Sequence, residues 1–317
     1  MTVTRVWLDC DTGSDDAVAI MAAALHPDLD LVGVSCVNGN VTLDHVVDNT
    51  LRVLSHIGVD VPVHRGAVRP LMRPDFPVPR HILNPEGSAF HADTLPLPAS
   101  PLRESQTGAA QAIVDAFMAD GGDEIVLVPT GPLTNIALAL AIEPRLASRI
   151  SRVVLMGGAR GQGNVSGSAE FNIWVDPEAA EAVLSAGIRD VLILPLDATH
   201  SAPISLTDCE RYEQLGTPAG RASADLIRHR IVGYDDREDT GDAAPVHDAL
   251  CLAAIVRPEV LTHVVEAAVH VETRGELTIG ATIVDDRPWR DEPANARFAL
   301  AADRALFASF LAEAFQP

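Results

Sequence analysis

Between Val3 and Leu25, an apolar run (Val3, Val6, Trp7, Leu8) ends in four carboxylates within eight positions, Asp9, Asp11, Asp15 and Asp16. It then gives way to Ala17-Val18-Ala19-Ile20-Met21-Ala22-Ala23-Ala24-Leu25. The first part suits a strand and the last a buried helix of high intrinsic propensity. With Gly13 in the tight turn between them, the stretch predicts the first strand-turn-helix unit of an α/β sheet. Its acids then lie at the carboxyl end of the strand, where open α/β sheets form their ligand crevice. No lysine or arginine stands between Arg5 and Arg52 to neutralise them. Asp15 and Asp16 could complement a helix N-terminus. Asp9 and Asp11, however, close an apolar strand. A hard divalent cation, held by carboxylate, carbonyl and water oxygens, would relieve their repulsion. The pattern therefore predicts a metal site.

The remaining chemistry is narrowed by what the 317 residues contain. With 47% apolar residues the chain can bury a large core, and its length suits one large α/β domain or two small ones. A formal net charge of −21 argues against nucleic acid and anionic membrane surfaces as partners. All basic residues are arginine, which removes Schiff-base lysine chemistry and a P-loop lysine. Cys10, Cys36, Cys209 and Cys251 are scattered without CxxC spacing, so a zinc cluster is not expected. Reduced thiols and the lack of a basic-then-apolar leader point to a cytoplasmic protein. No apolar run is long enough to span a bilayer.

Strand and helix signals alternate through most of the chain. Leu29–Val37 reads as a strand ending in Asn38-Gly39-Asn40, and 42–57 as an amphipathic helix. Residues 65–103 are crowded with proline and carry His81 and His91, which suggests a lid or pocket wall. His91 is expected to be a solvated loop histidine, with contact to the base as the alternative if the loop folds inward. A strand at 124–128 runs into Pro129-Thr130-Gly131-Pro132-Leu133-Thr134-Asn135, a turn with a carbonyl to spare for a cation. Arg152–Met156 is a strand that leads into a loop whose Asn164, Glu170 and Asn172 suit hydrogen bonds to hydroxyl groups. Without a lysine or compact glycine spacing it is a poor phosphate loop. Residues 202–231 read as mostly helical and 234–242 as an acidic loop. Pro245-Val246-His247-Asp248 precedes an apolar helix, 264–273 and 276–284 a pair of strands, and 298–315 a closing helix. No internal repeat or clean domain boundary is visible.

Asp9-Cys10-Asp11-Thr12-Gly13-Ser14-Asp15-Asp16-Ala17 resembles the signature of the inosine-uridine-preferring nucleoside hydrolases, which usually carry Pro where Thr12 stands. The resemblance continues in order through Asn38-Gly39-Asn40, Pro129–Asn135, Met156-Gly157-Gly158, Gly163-Asn164, Glu170–Pro177 and Pro245–Asp248. It implies a single α/β domain over 1–317 with a mostly parallel central sheet flanked by helices. It also implies a bound Ca²⁺, a small-molecule ribonucleoside as substrate, and a homodimer or homotetramer. Carried over residue by residue, Asp11, Asp16, Asp248 and the Thr130 carbonyl would hold the metal, with Asp9 behind it. Asp11 would also be the general base for the attacking water. Asp15, Asn40, Met156, Asn164, Glu170 and Asn172 would line the ribose, and His247 would stand at the nucleobase or leaving group. The residue types suit that chemistry: cleaving an N-glycosidic bond builds positive charge on the ribose, which carboxylates stabilise.

The family often carries His-x-His-Gly in its first long loop. Here Arg80-His81-Ile82-Leu83-Asn84-Pro85-Glu86-Gly87 has Leu83 at the second histidine and keeps only His81 for the substrate. Phe90, Trp174 and Tyr234 are the candidates for stacking on a base. Two other readings compete. Asp9-x-Asp11 after a strand is similar to haloacid-dehalogenase-type phosphatases, but Gly13 stands where they need Thr, and the chain has no lysine. A Ca²⁺-dependent nucleoside-binding protein without turnover would keep the same pocket.

Overall fold

The structure is a computed structural model that describes residues 3–73, 91–238 and 241–317, with residues 234–238 described by their backbone alone. Three strands come first: β1 (Thr4–Cys10), β2 (Leu29–Cys36) and β3 (Val63–Arg65). They are joined by α1 (Ser14–Leu25) and α2 (Leu43–His56). All are parallel, so each return to the sheet needs a crossover helix. After the proline-rich stretch come α3 (Ala109–Met118), β4 (Ile125–Pro129), α4 (Thr134–Ile142), the short α5 (Leu146–Arg149) and β5 (Arg152–Met156). Next are α6 (Phe171–Val175), α7 (Pro177–Leu184), β6 (Val191–Leu194) and α8 (Leu196–His200).

The second half holds β7 (Ile204–Ser205), α9 (Leu206–Gln214), α10 (Pro218–Glu238), β8 (Ala243–Ala244) and α11 (Ala249–Val256). It closes with β9 (Leu261–Val271), β10 (Thr282–Asp285), β11 (Ala296–Ala302) and α12 (Arg304–Ala314). Among the described residues the main sheet has nine strands in the order β10-β9-β11-β6-β5-β4-β1-β2-β3. It is parallel from β3 to β11, and β9 and β10 complete it antiparallel.

Three sequence expectations change, the first being the strand expected over 276–284, which is confined to Thr282–Asp285 because 276–280 form turns. The acidic stretch after Tyr234 begins inside α10, which continues to Glu238. The closing helix starts later than expected, because Ala296–Ala302 is a strand. Its residues pair with β6 on one side and β9 on the other, filling the gap between the parallel and antiparallel parts. Alanine favours helix only weakly against such pairing. The helix is capped by Asp303, whose carboxylate accepts from Leu306 N at 2.9 Å.

Strand β1 explains why the N-terminal run is apolar throughout. Val6 and Leu8 pack on one face with α1, α11 and α12, while Trp7 packs on the other with Phe117, Leu127 and Ile136. A strand covered by helices on both faces has no solvent side. Strand β1 also lies at the point where the topology reverses: the chain winds outward from it through β2 and β3, then returns to its other edge with β4. That is where a doubly wound sheet opens a crevice. Among the described residues, no helix is long and apolar enough to cross a membrane.

Candidate active site

The crevice at the carboxyl ends of β1, β2, β4 and β5 is floored by carboxylates. Asp9, Asp11, Asp15, Asp16 and Asp248 are all buried, none more than 4% exposed. Asp9, next to last in β1, is fully buried. Its Oδ1 accepts from the Ser35 hydroxyl of β2 and from Asn135 Nδ2 at 2.8 Å, while its Oδ2 has no hydrogen-bond partner among the described residues. Burial lifts its pKa to about 7 against those two bonds.

Asp11 and Asp16 are joined through Asn40. The Asn40 backbone N–H donates to Asp11 Oδ2 at 2.7 Å, and its amide reaches Asp11 Oδ1 and Asp16 Oδ2, each at 3.2 Å. Gly39 makes this approach possible, since a Cβ there would fall 2.0 Å from Asp11 Oδ2. Asp16 also folds back on its own helix start, accepting from Gly13 N at 3.0 Å, and takes the Thr130 hydroxyl at 2.9 Å. Burial, then repulsion from Asp15, raises Asp16 to about 6. Burial and neighbouring carboxylates push Asp11 and Asp248 up further.

Asp15, Asp16 and Asp248 each offer an oxygen within 4.8 Å of the other two. Oxygen-only donors, all three buried, fit a hard divalent cation. Asp11 lies outside that trio and is linked to it through Asn40. The Thr130 carbonyl accepts from Asn172 Nδ2 at 2.8 Å, and its second lone pair can serve another partner.

On the β5 side the same amide reaches the Met156 carbonyl at 3.2 Å. Glu170 caps α6, accepting from Gly158 N at 2.9 Å, Asn172 N at 3.0 Å and Ile173 N at 3.3 Å. Burial outweighs these bonds and raises it to about 7. Asn164 stands further out, half-buried, its Oδ1 accepting from Phe171 N at 2.9 Å. His247 is buried beside Asp248, and its Nδ1 pairs with the Thr199 hydroxyl at 2.7 Å. Burial, then Arg230, keeps it neutral well below the usual histidine range.

The proline-rich stretch is anchored here at both ends. Ala67 N donates to Asn135 Oδ1 at 2.8 Å, and Leu71 N to Asp176 Oδ2 at 3.0 Å. At the far end His91 is buried rather than solvated. Its Nδ1 accepts from Ser14 N at 3.3 Å and lies 3.8 Å from Asp15 Oδ1. The ring passes so close that a Cβ on Gly13 would fall 2.0 Å from Nδ1. Burial lowers His91 to about 4. His81, Leu83, Phe90 and the Tyr234 side chain lie outside the described residues.

Buried carboxylates that could hold a metal ion thus lie beside side-chain amides and backbone carbonyls. The model of the inosine-uridine preferring nucleoside hydrolases matches residues 6–309. The chain belongs to that family. This nucleoside hydrolase is 38% identical to the pyrimidine-specific ribonucleoside hydrolase RihA of Klebsiella pneumoniae over 309 residues, 97% of each chain. Its fold is shared with a purine-preferring ribonucleoside hydrolase from Gardnerella vaginalis, with a TM-score of 0.88 and 29% identity over 98% of both chains. It is also shared with an inosine-guanosine nucleoside hydrolase, with a TM-score of 0.85 and 27% identity over 99% of this chain and 98% of that one. The chain is thus a ribonucleoside hydrolase in a single α/β domain, and the phosphatase alternative falls.

Three features of the hydrolase pocket were not found by reading the sequence. Arg230 of α10, 2% exposed, places Nη1 3.1 Å from Asp15 Oδ1. On a helix rich in polar residues, beside Arg228 and His229, it looks like a surface residue. His91 was masked by its proline-rich surroundings. Thr199 carries no signal apart from the strand that precedes it.

Proposed function

We propose that this chain hydrolyses the N-glycosidic bond of ribonucleosides in a Ca²⁺-dependent reaction, with pyrimidine ribonucleosides as its main substrates. The observation that carries the reading is the gathering of five buried carboxylates at the sheet's switch point, beside amides suited to hydroxyl groups. The pyrimidine preference leans on the 38% identity to RihA.

Asp11, Asp16, Asp248 and the Thr130 carbonyl would hold the cation. When bound, Ca²⁺ would make a water more acidic and grip vicinal ribose hydroxyls. The chain's own groups do the rest. Asp15, Asn40, Glu170 and Asn172 orient the ribose through its hydroxyls, and Met156 and Asn164 complete that wall. Asp11, steered by Asn40, takes the proton of the water that attacks the anomeric carbon. The surrounding carboxylates stabilise the positive charge that grows on the sugar as the bond to the base breaks. His247, held through Nδ1 by Thr199, faces the departing base, with His81 as a second contact to it. A pocket built to bond ribose hydroxyls leaves buried groups unpaired with 2′-deoxyribose, so ribonucleosides are favoured.

The buried, unbridged cysteines suit a reducing compartment such as the cytoplasm. A homodimer or homotetramer completes the reading. The test is ribose release from cytidine, uridine, inosine, adenosine and guanosine, with Asp11→Ala alongside. Turnover led by cytidine and uridine and lost in the variant is expected. No turnover on any of them, with Ca²⁺ still bound, would favour the non-catalytic binding protein.

A further inference from the structure

Distances alone do not explain why Asp15 should read a ribose rather than ligate a cation. Its carboxylate stands as close to Asp16 and Asp248 as they stand to each other, all three within 4.8 Å. What sets Asp15 apart is its cationic neighbour. Arg230 Nη1 lies 3.1 Å from Asp15 Oδ1, and among the described residues no arginine forms an ion pair with Asp16 or Asp248. The guanidinium is fixed at two further points. Nη1 donates to the Ser14 hydroxyl at 3.0 Å, and Nε donates to the Pro245 carbonyl at 3.1 Å. These anchors belong to the start of α1 and to the segment that carries His247 and Asp248. The guanidinium is therefore locked between the two halves of the acidic floor, and it does not follow Asp15 if that side chain swings. His91 approaches the same Oδ1, at 3.8 Å.

A buried arginine is costly unless its charge and its N–H groups are satisfied. Here the charge faces the Asp15 carboxylate, and Nη1 and Nε donate to groups on either side of it. An oxygen engaged by a guanidinium is a poor ligand for a divalent cation, because the two positive charges would share it at close range. A carboxylate so engaged still accepts hydrogen bonds from neutral hydroxyls, which carry no opposing charge. We propose that Arg230 is a positioning residue that withholds Asp15 from the cation and presents it to the ribose hydroxyls. The assignment rests on the ribonucleoside-hydrolase reading above for the identity of the sugar.

The test compares wild-type protein with Arg230→Gln and Arg230→Lys by calorimetry, first with Ca²⁺ alone and then with D-ribose on the Ca²⁺-loaded protein. KM and kcat are measured for uridine and 2′-deoxyuridine. In Arg230→Gln the trio loses its counter-charge, so Ca²⁺ is expected to bind about tenfold tighter. D-ribose is expected to bind about tenfold weaker, and preference for uridine over 2′-deoxyuridine to drop by a similar factor, carried mainly by KM. Arg230→Lys keeps the charge but not the two-point fork, so Ca²⁺ affinity is expected to stay at the wild-type level while D-ribose binding weakens. Unchanged or weaker Ca²⁺ binding in a cooperatively melting Arg230→Gln protein overturns the assignment, as does unchanged D-ribose affinity. If Arg230→Gln does not fold, Arg230→Lys decides by its D-ribose affinity, with a wild-type value overturning the proposal. A wild-type protein that binds Ca²⁺ and D-ribose yet releases no base from any nucleoside contradicts the hydrolase reading. The Ca²⁺ and D-ribose comparison stays decisive in that case.

Discussion

At the amino ends of β5, β6 and β11, Asp190 sits between Arg152 and Arg297, 3.5 Å from the first and 2.6 Å from the second. All three side chains keep a quarter or more of their surface in water. At the other end of the same sheet, Asp9, Asp11, Asp16 and Asp248 are buried, and repulsion between carboxylates adds to the burial of Asp11, Asp16 and Asp248. The first arrangement is how a surface manages charge: opposite signs, open to solvent, worth little either way. The second costs stability unless something positive enters. Folding alone has no use for it, so the contrast separates the part of the sheet that only folds from the part that performs chemistry.

The sharpest way to break the contrast is at Asp11. Asp11→Asn is expected to lower kcat/KM by about 10²–10⁴. Its Ca²⁺-free melting temperature should be no lower than wild type, because one of the repelling charges is gone. Activity within tenfold of wild type would remove Asp11 from the chemistry.

Cation removal comes next. Ca²⁺ at about a hundred times its Kd should add roughly 2.7 kcal/mol to stability. The pH dependence of the Ca²⁺-free protein follows from the raised carboxyls. Burial holds Asp9 and Glu170 at about 7 and Asp16 at about 6. They keep their protons after the unfolded chain has lost its own near pH 4, so their contribution is full below about pH 4 and is lost as pH rises through 6 to 7. His91, lowered by burial to about 4, runs the other way, losing its contribution as pH falls from about 6.5. Above pH 6.5 the carboxyls prevail. The Ca²⁺-free protein should therefore melt lower at pH 8 than at pH 6.5, with most of the difference erased by Ca²⁺. A flat profile in EDTA would mean the carboxylates are already neutralised from within.

Smaller effects sharpen the two sides. Glu170→Gln has a single acceptor oxygen in place of two, for three backbone N–H groups. A loss of about 1–3 kcal/mol in denaturant unfolding is expected, together with weaker ribose binding. Asp190→Asn, at the solvated end, should cost no more than about 1 kcal/mol and leave turnover unchanged.

Much of this was legible in the sequence because it is written locally. A strand buried on both faces announces itself in Val6-Trp7-Leu8, and the acids at its end are adjacent in the chain. The nucleoside hydrolase motifs are likewise short and contiguous. Features made by long-range pairing were not legible. Ala296–Ala302 is a strand because β6 and β9 flank it, which no local propensity records. Arg230 meets Asp15 across 215 positions because α10 packs on α1, and a charged residue on a polar helix face gives no sign that it is buried. His91 is drawn inward by Gly13 and Ser14, nearly eighty positions upstream, although its proline-rich neighbours suggest a solvated loop.

The most direct test strips the protein with EDTA and titrates Ca²⁺ back while following both Ca²⁺ occupancy and ribose release from uridine or cytidine. No turnover is expected in EDTA, and activity is expected to rise in step with the filling of one Ca²⁺ site per chain. Full turnover in EDTA, or activity that does not follow occupancy, would contradict the claim that the buried carboxylates exist to hold a catalytic cation.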